Sequence, residues 1–181
     1  MLQTKVIRYH THKDEQLVCF FVGADSSGKS TIAKELSKRL KIPYFKNKNE
    51  AQCFRTNFMN ELHLKGSYLY EILRDTKYSL IKDRDYVCEA AYSQAYGRET
   101  DMPFILDLDK KYRALNLHIV FCYKTAHLNF SDHLIKEDML PKIIQGYRNF
   151  KEMSINLWLE LDTTDENLED QISKIRSFLK R

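Results

Sequence analysis

Chain breakers are scarce in this sequence, with 5 glycines and 3 prolines in 181 residues. That leaves no low-complexity tract or flexible linker, and no internal repeat is visible, so residues 1–181 read as a single domain. Cysteine is sparse as well. Cys19, Cys53, Cys88 and Cys122 include no C-x-x-C pair, which argues against a disulfide framework and against a structural zinc site. Cys19 and Cys122 fall within strand-like runs and are expected as small buried hydrophobes. His10 and His12 could chelate a metal weakly, but an exposed His pair near a terminus is expected to bind nothing. No apolar run approaches the roughly 20 residues of a membrane-spanning helix, and Met1-Leu2-Gln3-Thr4-Lys5-Val6-Ile7-Arg8 lacks the apolar stretch of a secretory signal. The expectation is a cytoplasmic protein with no membrane partner. An arginine-rich stripe or basic tail is also missing, so the net charge of +4 suits a small anionic ligand better than it argues for nucleic acid.

What the sequence does contain is a complete phosphate-binding loop. Gly23-Ala24-Asp25-Ser26-Ser27-Gly28-Lys29-Ser30 fits G-x-x-x-x-G-K-[ST]. The apolar run Leu17-Val18-Cys19-Phe20-Phe21-Val22 leads into it, and the helical pattern from Thr31 to Leu40 leads out. This strand, loop and helix are the context the motif requires. Backbone N–H groups from Gly23, Ser26, Ser27, Gly28 and Thr31 are expected around the phosphates of ATP, assisted by the positive end of the helix. Lys29 would supply charge to the outer phosphates, and Ser30 a hydroxyl ligand for Mg²⁺.

Strand signals recur at about 17–22, 42–45, 79–82, 117–123 and 155–161, with helical patterns between them. That alternation predicts an α/β fold in three layers, a mostly parallel five-stranded sheet with helices on both faces. Ile143, Ile144, Tyr147 and Phe150 form one core stripe behind Pro141. Leu168, Ile172, Ile175 and Leu179 form another, with Thr163-Thr164-Asp165-Glu166 as its expected capping box. The polar stretch of roughly 124–140 is placed where a short lid would lie. Residues 1–16 are expected to add at most an edge strand.

Ser79-Leu80-Ile81-Lys82-Asp83-Arg84 is a short strand ending in an acid and a base. At the carboxyl end of a parallel strand both would enter the ligand crevice. Asp83 could serve the Mg²⁺ shell or polarise the attacking group, and Arg84 could grip a phosphate bidentately. A simple strand-end salt bridge is the other reading of an isolated Asp-Arg pair.

The residues that follow shift that balance. Asp83-Arg84-Asp85-Tyr86-Val87-Cys88-Glu89-Ala90-Ala91-Tyr92 resembles the D-R-x-x-x-S-x-x-A-Y segment of thymidylate kinases, and Asp25 resembles the G-x-D aspartate of their phosphate loop. Deoxynucleoside kinases and phage-type deoxynucleotide kinases share the layout. The resemblance implies a P-loop kinase fold and ATP- and Mg²⁺-dependent phosphoryl transfer to a deoxynucleoside monophosphate, thymidylate-like. It also implies Arg84 on the acceptor phosphate, Tyr92 near the acceptor base or sugar, Asp25 facing the acceptor sugar, and Asp83 at the metal and transfer site. Lys46, after the second strand, takes the place of a basic acceptor-phosphate residue, although R-E-P-G-G is absent. Asp162-Thr163-Thr164 occupies the place of the loop that borders the adenine.

Three departures from the family pattern stand out. Cys88 replaces the serine, with Glu89 beside it. The helix before Asp83 reads as short. Neither the loop, with Ser26 at the relevant place, nor the stretch from Lys124 to Leu140 supplies an arginine for the transferring phosphoryl group. Arg98, on the helix of Tyr92, is the preferred substitute, ahead of Lys124, Lys136 and Arg148. Tyr68, Tyr70 and Tyr92 are candidates to stack on a base, with helix-face packing the weightier reading for the first two. A nucleoside kinase, with Glu50 or Asp83 as base, a polynucleotide 5′-hydroxyl kinase (the one reading that would involve nucleic acid) and a non-catalytic nucleotide-binding module remain as alternatives. A homodimer is left open.

Overall fold

A computed structural model describes residues 16–46, 58–124, 137–165 and 167–180. The N-terminal segment up to residue 15, Lys48, Glu50, Cys53, Lys136 and most of the anticipated lid lie outside the described residues. Among those described, five strands alternate with six helices. They are β1 (Val18–Val22), α1 (Lys29–Leu40), β2 (Tyr44–Lys46), α2 (Phe58–Thr76), β3 (Leu80–Asp83), α3 (Tyr86–Tyr96), α4 (Met102–Arg113), β4 (His118–Tyr123), α5 (Leu140–Met153), β5 (Leu157–Asp162) and α6 (Leu168–Phe178). A 3₁₀ turn at Glu137–Met139 leads into α5.

The strands form one all-parallel sheet in the order β2-β3-β1-β4-β5. A parallel sheet is covered on both faces, so its central strands should be continuously apolar. β1 meets this: all five of its residues are fully buried. Alternation then divides them. Val18, Phe20 and Val22 pack with Tyr70, Tyr86, Ile105 and Ile143 from α2, α3, α4 and α5. Cys19 and Phe21 pack with Ile32 and Leu36 of α1 and Ile172 and Ile175 of α6. These two cores make the three layers, and they absorb Cys19, Cys122 and both helical stripes as the sequence indicated.

Two expectations about helices are corrected. The helix before Asp83 is not short, since α2 runs for 19 residues. The cap of α6 is Asn167, whose side chain accepts from the Asp170 N–H, and not the Thr163-Thr164-Asp165-Glu166 box. Thr163 is instead drawn into the phosphate loop.

Close approach fixes α3 against α5. A Cβ on Gly146 would lie 2.4 Å from the carbonyl oxygen of Ala91, so only glycine admits that contact. A buried carboxylate ties α4 to the same block. Asp109 accepts from Tyr86 Oη at 2.9 Å, from Ser154 Oγ at 2.9 Å and from the Ile155 N–H at 3.0 Å.

His118 on β4 is 2 % exposed, faces the edge of the Phe178 ring, and burial lowers its imidazole below the ordinary 6.5. The unfolded chain therefore takes up a proton that the folded chain refuses. Stability is lost as pH falls from about 6.5 towards the lower folded value. In urea denaturation at about pH 7.5 and about pH 5.5, wild type should lose more stability on acidification than His118→Leu. Equal losses would show that another group titrates.

Candidate functional site

The carboxyl ends of β1, β3 and β2 lie level. Phe21 pairs with Asp83, and Asp83 with Lys46. The phosphate loop leaves β1 at that edge and turns into α1. Gly23, at φ 142°, presses its backbone onto β4, where a Cβ would stand 2.1 Å from the Cys122 carbonyl oxygen. Gly28, at φ 76°, is the N-cap of α1 and brings no capping side chain, so the first N–H groups of α1 face an anion site, although the Thr31 N–H expected there donates to the Gly28 carbonyl at 3.1 Å. Ser27 is buried with its hydroxyl unpartnered. Ser26 and Thr31 lie on the exposed side of the loop and first turn.

Lys29 is 4 % exposed. Its ammonium donates to the Ala24 carbonyl at 2.8 Å and lies 3.8 Å from Asp25. Burial lowers its pKa from the usual lysine value, against the opposing pull of Asp83.

Beside the loop, Asp83 is fully buried. Its Oδ2 accepts from the Ser30 hydroxyl and, at 3.0 Å, from the Tyr44 hydroxyl. Burial beside that carboxylate pushes the Tyr44 phenol up to about 12. Lys46 completes the cluster, its Nζ 3.2 Å from Ser30 Oγ and 3.9 Å from Asp83 Oδ2. The other carboxylate oxygen, Oδ1, is buried without a hydrogen-bond partner. A hydroxyl and a carboxylate with a spare oxygen suit a hard cation such as Mg²⁺. Among the described residues no group of three or more His, Cys, Asp or Glu side chains gathers to hold a metal.

Arg84 follows immediately, in a left-handed conformation at φ 70° that turns the chain off β3 while its N–H bonds the Phe21 carbonyl at 2.9 Å. Its guanidinium pairs with Asp25, which leaves Nε buried and unpartnered. Tyr92 lies beside it with a buried hydroxyl. Burial pushes that phenol up to about 12, although the Arg84 charge pulls the other way. Tyr92 meets Tyr147 edge-on at 6.3 Å, and the Tyr147 hydroxyl reaches the Gly23 carbonyl at 3.3 Å.

The fold matches that of solved structures. A YorR protein of Bacillus subtilis, in complex with phosphorylated GDP, superposes with a TM-score of 0.67 at 19% identity, covering 90% of this chain and 95% of that one. Thymidylate kinase of Ehrlichia chaffeensis gives 0.61 at 12% identity, over 92% and 100% of the two chains. Deoxyadenosine kinase of M. mycoides with bound dCTP gives 0.56 at 16% identity, over 91% and 99%. The fold is the one these solved structures share. No protein-family model and no curated protein sequence matches the chain.

Within this fold, Asp25, Lys29, Ser30, Lys46, Asp83, Arg84 and Tyr92 come together as the sequence grouped them. Arg98 is placed differently. α3 ends at Tyr96, with Gly97 as its left-handed cap, so Arg98 lies beyond the helix of Tyr92. It pairs with the buried Glu89 at 3.0 Å. Burial raises the Glu89 carboxyl, and Arg98 draws it back. Arg148 stacks on Tyr123 at 5.4 Å and pairs with Glu160 at 3.4 Å. Thr163 is 2 % exposed and donates to the Ser27 carbonyl at 2.8 Å, bracing the loop from behind. Tyr70 is core, while Tyr68 is 70% exposed.

Two residues of the site were missed from sequence. The sequence marks Tyr147 only as a core residue. Tyr44 had a visible signal, because it lies two residues before Lys46 and so on the same face of β2.

Proposed function

We propose that the protein is an ATP- and Mg²⁺-dependent kinase that phosphorylates a deoxynucleoside monophosphate. The observation that carries this reading is the pair of buried cations at one crevice, Lys29 within the phosphate loop and Arg84 across Asp25 from it. One cation serves the donor phosphates and the other is positioned for an acceptor that already bears a phosphate.

An acceptor phosphate oxygen attacks the γ-phosphorus in line, while the bond to the β,γ-bridging oxygen breaks and ADP leaves with the electron pair. The acceptor is already an anion, so no strong general base is required. The protein's part is positioning and charge neutralisation. Lys29 and the loop N–H groups hold the donor. Ser30 and Asp83 would hold Mg²⁺, which neutralises phosphate charge. Arg84 and Lys46 would grip the acceptor phosphate, Asp25 its sugar, and Tyr92 its sugar or base. Thr163 supports the adenine side through the loop, and Arg98 enters transfer only if it leaves Glu89. The solved YorR and thymidylate kinase structures support a nucleotide acceptor, and the guanine nucleotide in the former makes dGMP as worthwhile a trial as dTMP.

The test is incubation with Mg-ATP and each deoxynucleoside, each monophosphate and a 5′-hydroxyl oligonucleotide, with ADP measured. ADP should form with a monophosphate. Formation with the nucleoside or oligonucleotide instead would move the acceptor class, and silence with all of them would leave a nucleotide-binding module.

A further inference from the structure

Lys46 stands closer to the cation site than an acceptor-phosphate residue needs to. Its ammonium lies 3.2 Å from Ser30 Oγ and 3.9 Å from Asp83 Oδ2, the two groups assigned above to the divalent cation. The carboxylate is fully buried, whereas the lysine side chain is 47% exposed. A buried carboxylate is strongly disfavoured without counter-charge, and Lys29 and Lys46 supply it to Asp83 from two sides. The exposed stem of Lys46 can leave without breaking any core packing. Tyr44, on the same face of β2, holds Asp83 Oδ2 at 3.0 Å and leaves Oδ1 unpartnered.

We propose that Lys46 is a resident counter-ion for this site. It neutralises Asp83 while no metal–nucleotide is bound and yields its place when the divalent cation arrives, with Tyr44 keeping the carboxylate oriented through the exchange. The released lysine, at the carboxyl end of β2, is then free for the acceptor phosphate, so one side chain serves both states. The inference rests on the kinase reading of Ser30 and Asp83, but not on which acceptor is used.

Competition between two cations for one carboxylate has a measurable sign. Free Mn²⁺ can be followed by electron paramagnetic resonance while Mn²⁺ is titrated into protein with ADP and no acceptor. Lys46→Met keeps the stem and removes the charge. It should bind Mn²⁺–ADP about fivefold more tightly or better, the lower end of ordinary coupling between sites. Lys46→Arg should stay near wild type. Tyr44→Phe should weaken the metal, because Asp83 loses its orienting donor. Equal or weaker Mn²⁺–ADP binding by Lys46→Met would overturn the proposal. Failure of the wild-type protein to bind Mn²⁺–ADP at all would overturn the kinase reading beneath it.

Discussion

Lys29→Ala is expected to lower phosphoryl transfer by about a thousandfold or more, on the scale of removing a single transition-state charge from a phosphoryl-transfer site. Little else in the loop can stand in for it. The neighbouring cation, Arg84, lies across Asp25 on the acceptor side, and Ser26 offers no charge. The fold should survive. Lys29 makes one hydrogen bond, to Ala24, and its ammonium is held in an environment that already disfavours it. Removing a buried charge of that kind leaves no unpaired partner of comparable cost, since Asp25 keeps Arg84 and Asp83 keeps Lys46. ADP production and thermal melting, measured together, decide the matter. Loss of turnover with Tm within a few degrees is the expected pair, and turnover within tenfold of wild type would exclude the lysine from transfer.

Arg84→Ala should act on a different substrate. Two charge-assisted hydrogen bonds to a phosphate, at about 1.5–3 kcal/mol each, correspond to a rise of about a hundredfold or more in the acceptor KM. The KM for ATP should change by less than about threefold, because Arg84 bonds no loop backbone group; its partner is the Asp25 side chain. The variant also leaves Asp25 with Lys29 alone, 3.8 Å away, so a small drop in Tm accompanies it. The separation of the two KM values is the decisive readout. Equal increases would show that Arg84 serves the donor subsite.

Much of this fold is legible because its signals are local. The apolar run before Gly23, the glycine-lysine-serine turn and the helix after it are set by neighbours within ten residues, and β1, the loop and α1 follow. The strand positions were legible for the same reason, each being an apolar run bounded by polar residues. Asp83 and Arg84 could be placed together because strand periodicity and strand end fix where they emerge. What escaped was set by distant partners. Thr163 looks like a helix cap beside Glu166, yet the Ser27 carbonyl, far away in sequence, claims its hydroxyl. Arg98 looks like the next residue of the Tyr92 helix until Gly97 turns left-handed and Glu89 draws the guanidinium in. Tyr44 shows its role only when the register of β2 on β3 brings it to Asp83. In each case a hydrogen bond across the fold outweighs the local pattern.

The backbone at Arg84 carries a further meaning. A left-handed conformation in a residue other than glycine costs about 1 kcal/mol or somewhat more. Glycine would make the same turn freely, and asparagine nearly so. Position 84 therefore trades thermodynamic stability for a buried guanidinium beside the phosphate loop. A search for thermostabilising substitutions in this chain would be drawn to that position, and the hardier variants it returned there would be poorer catalysts.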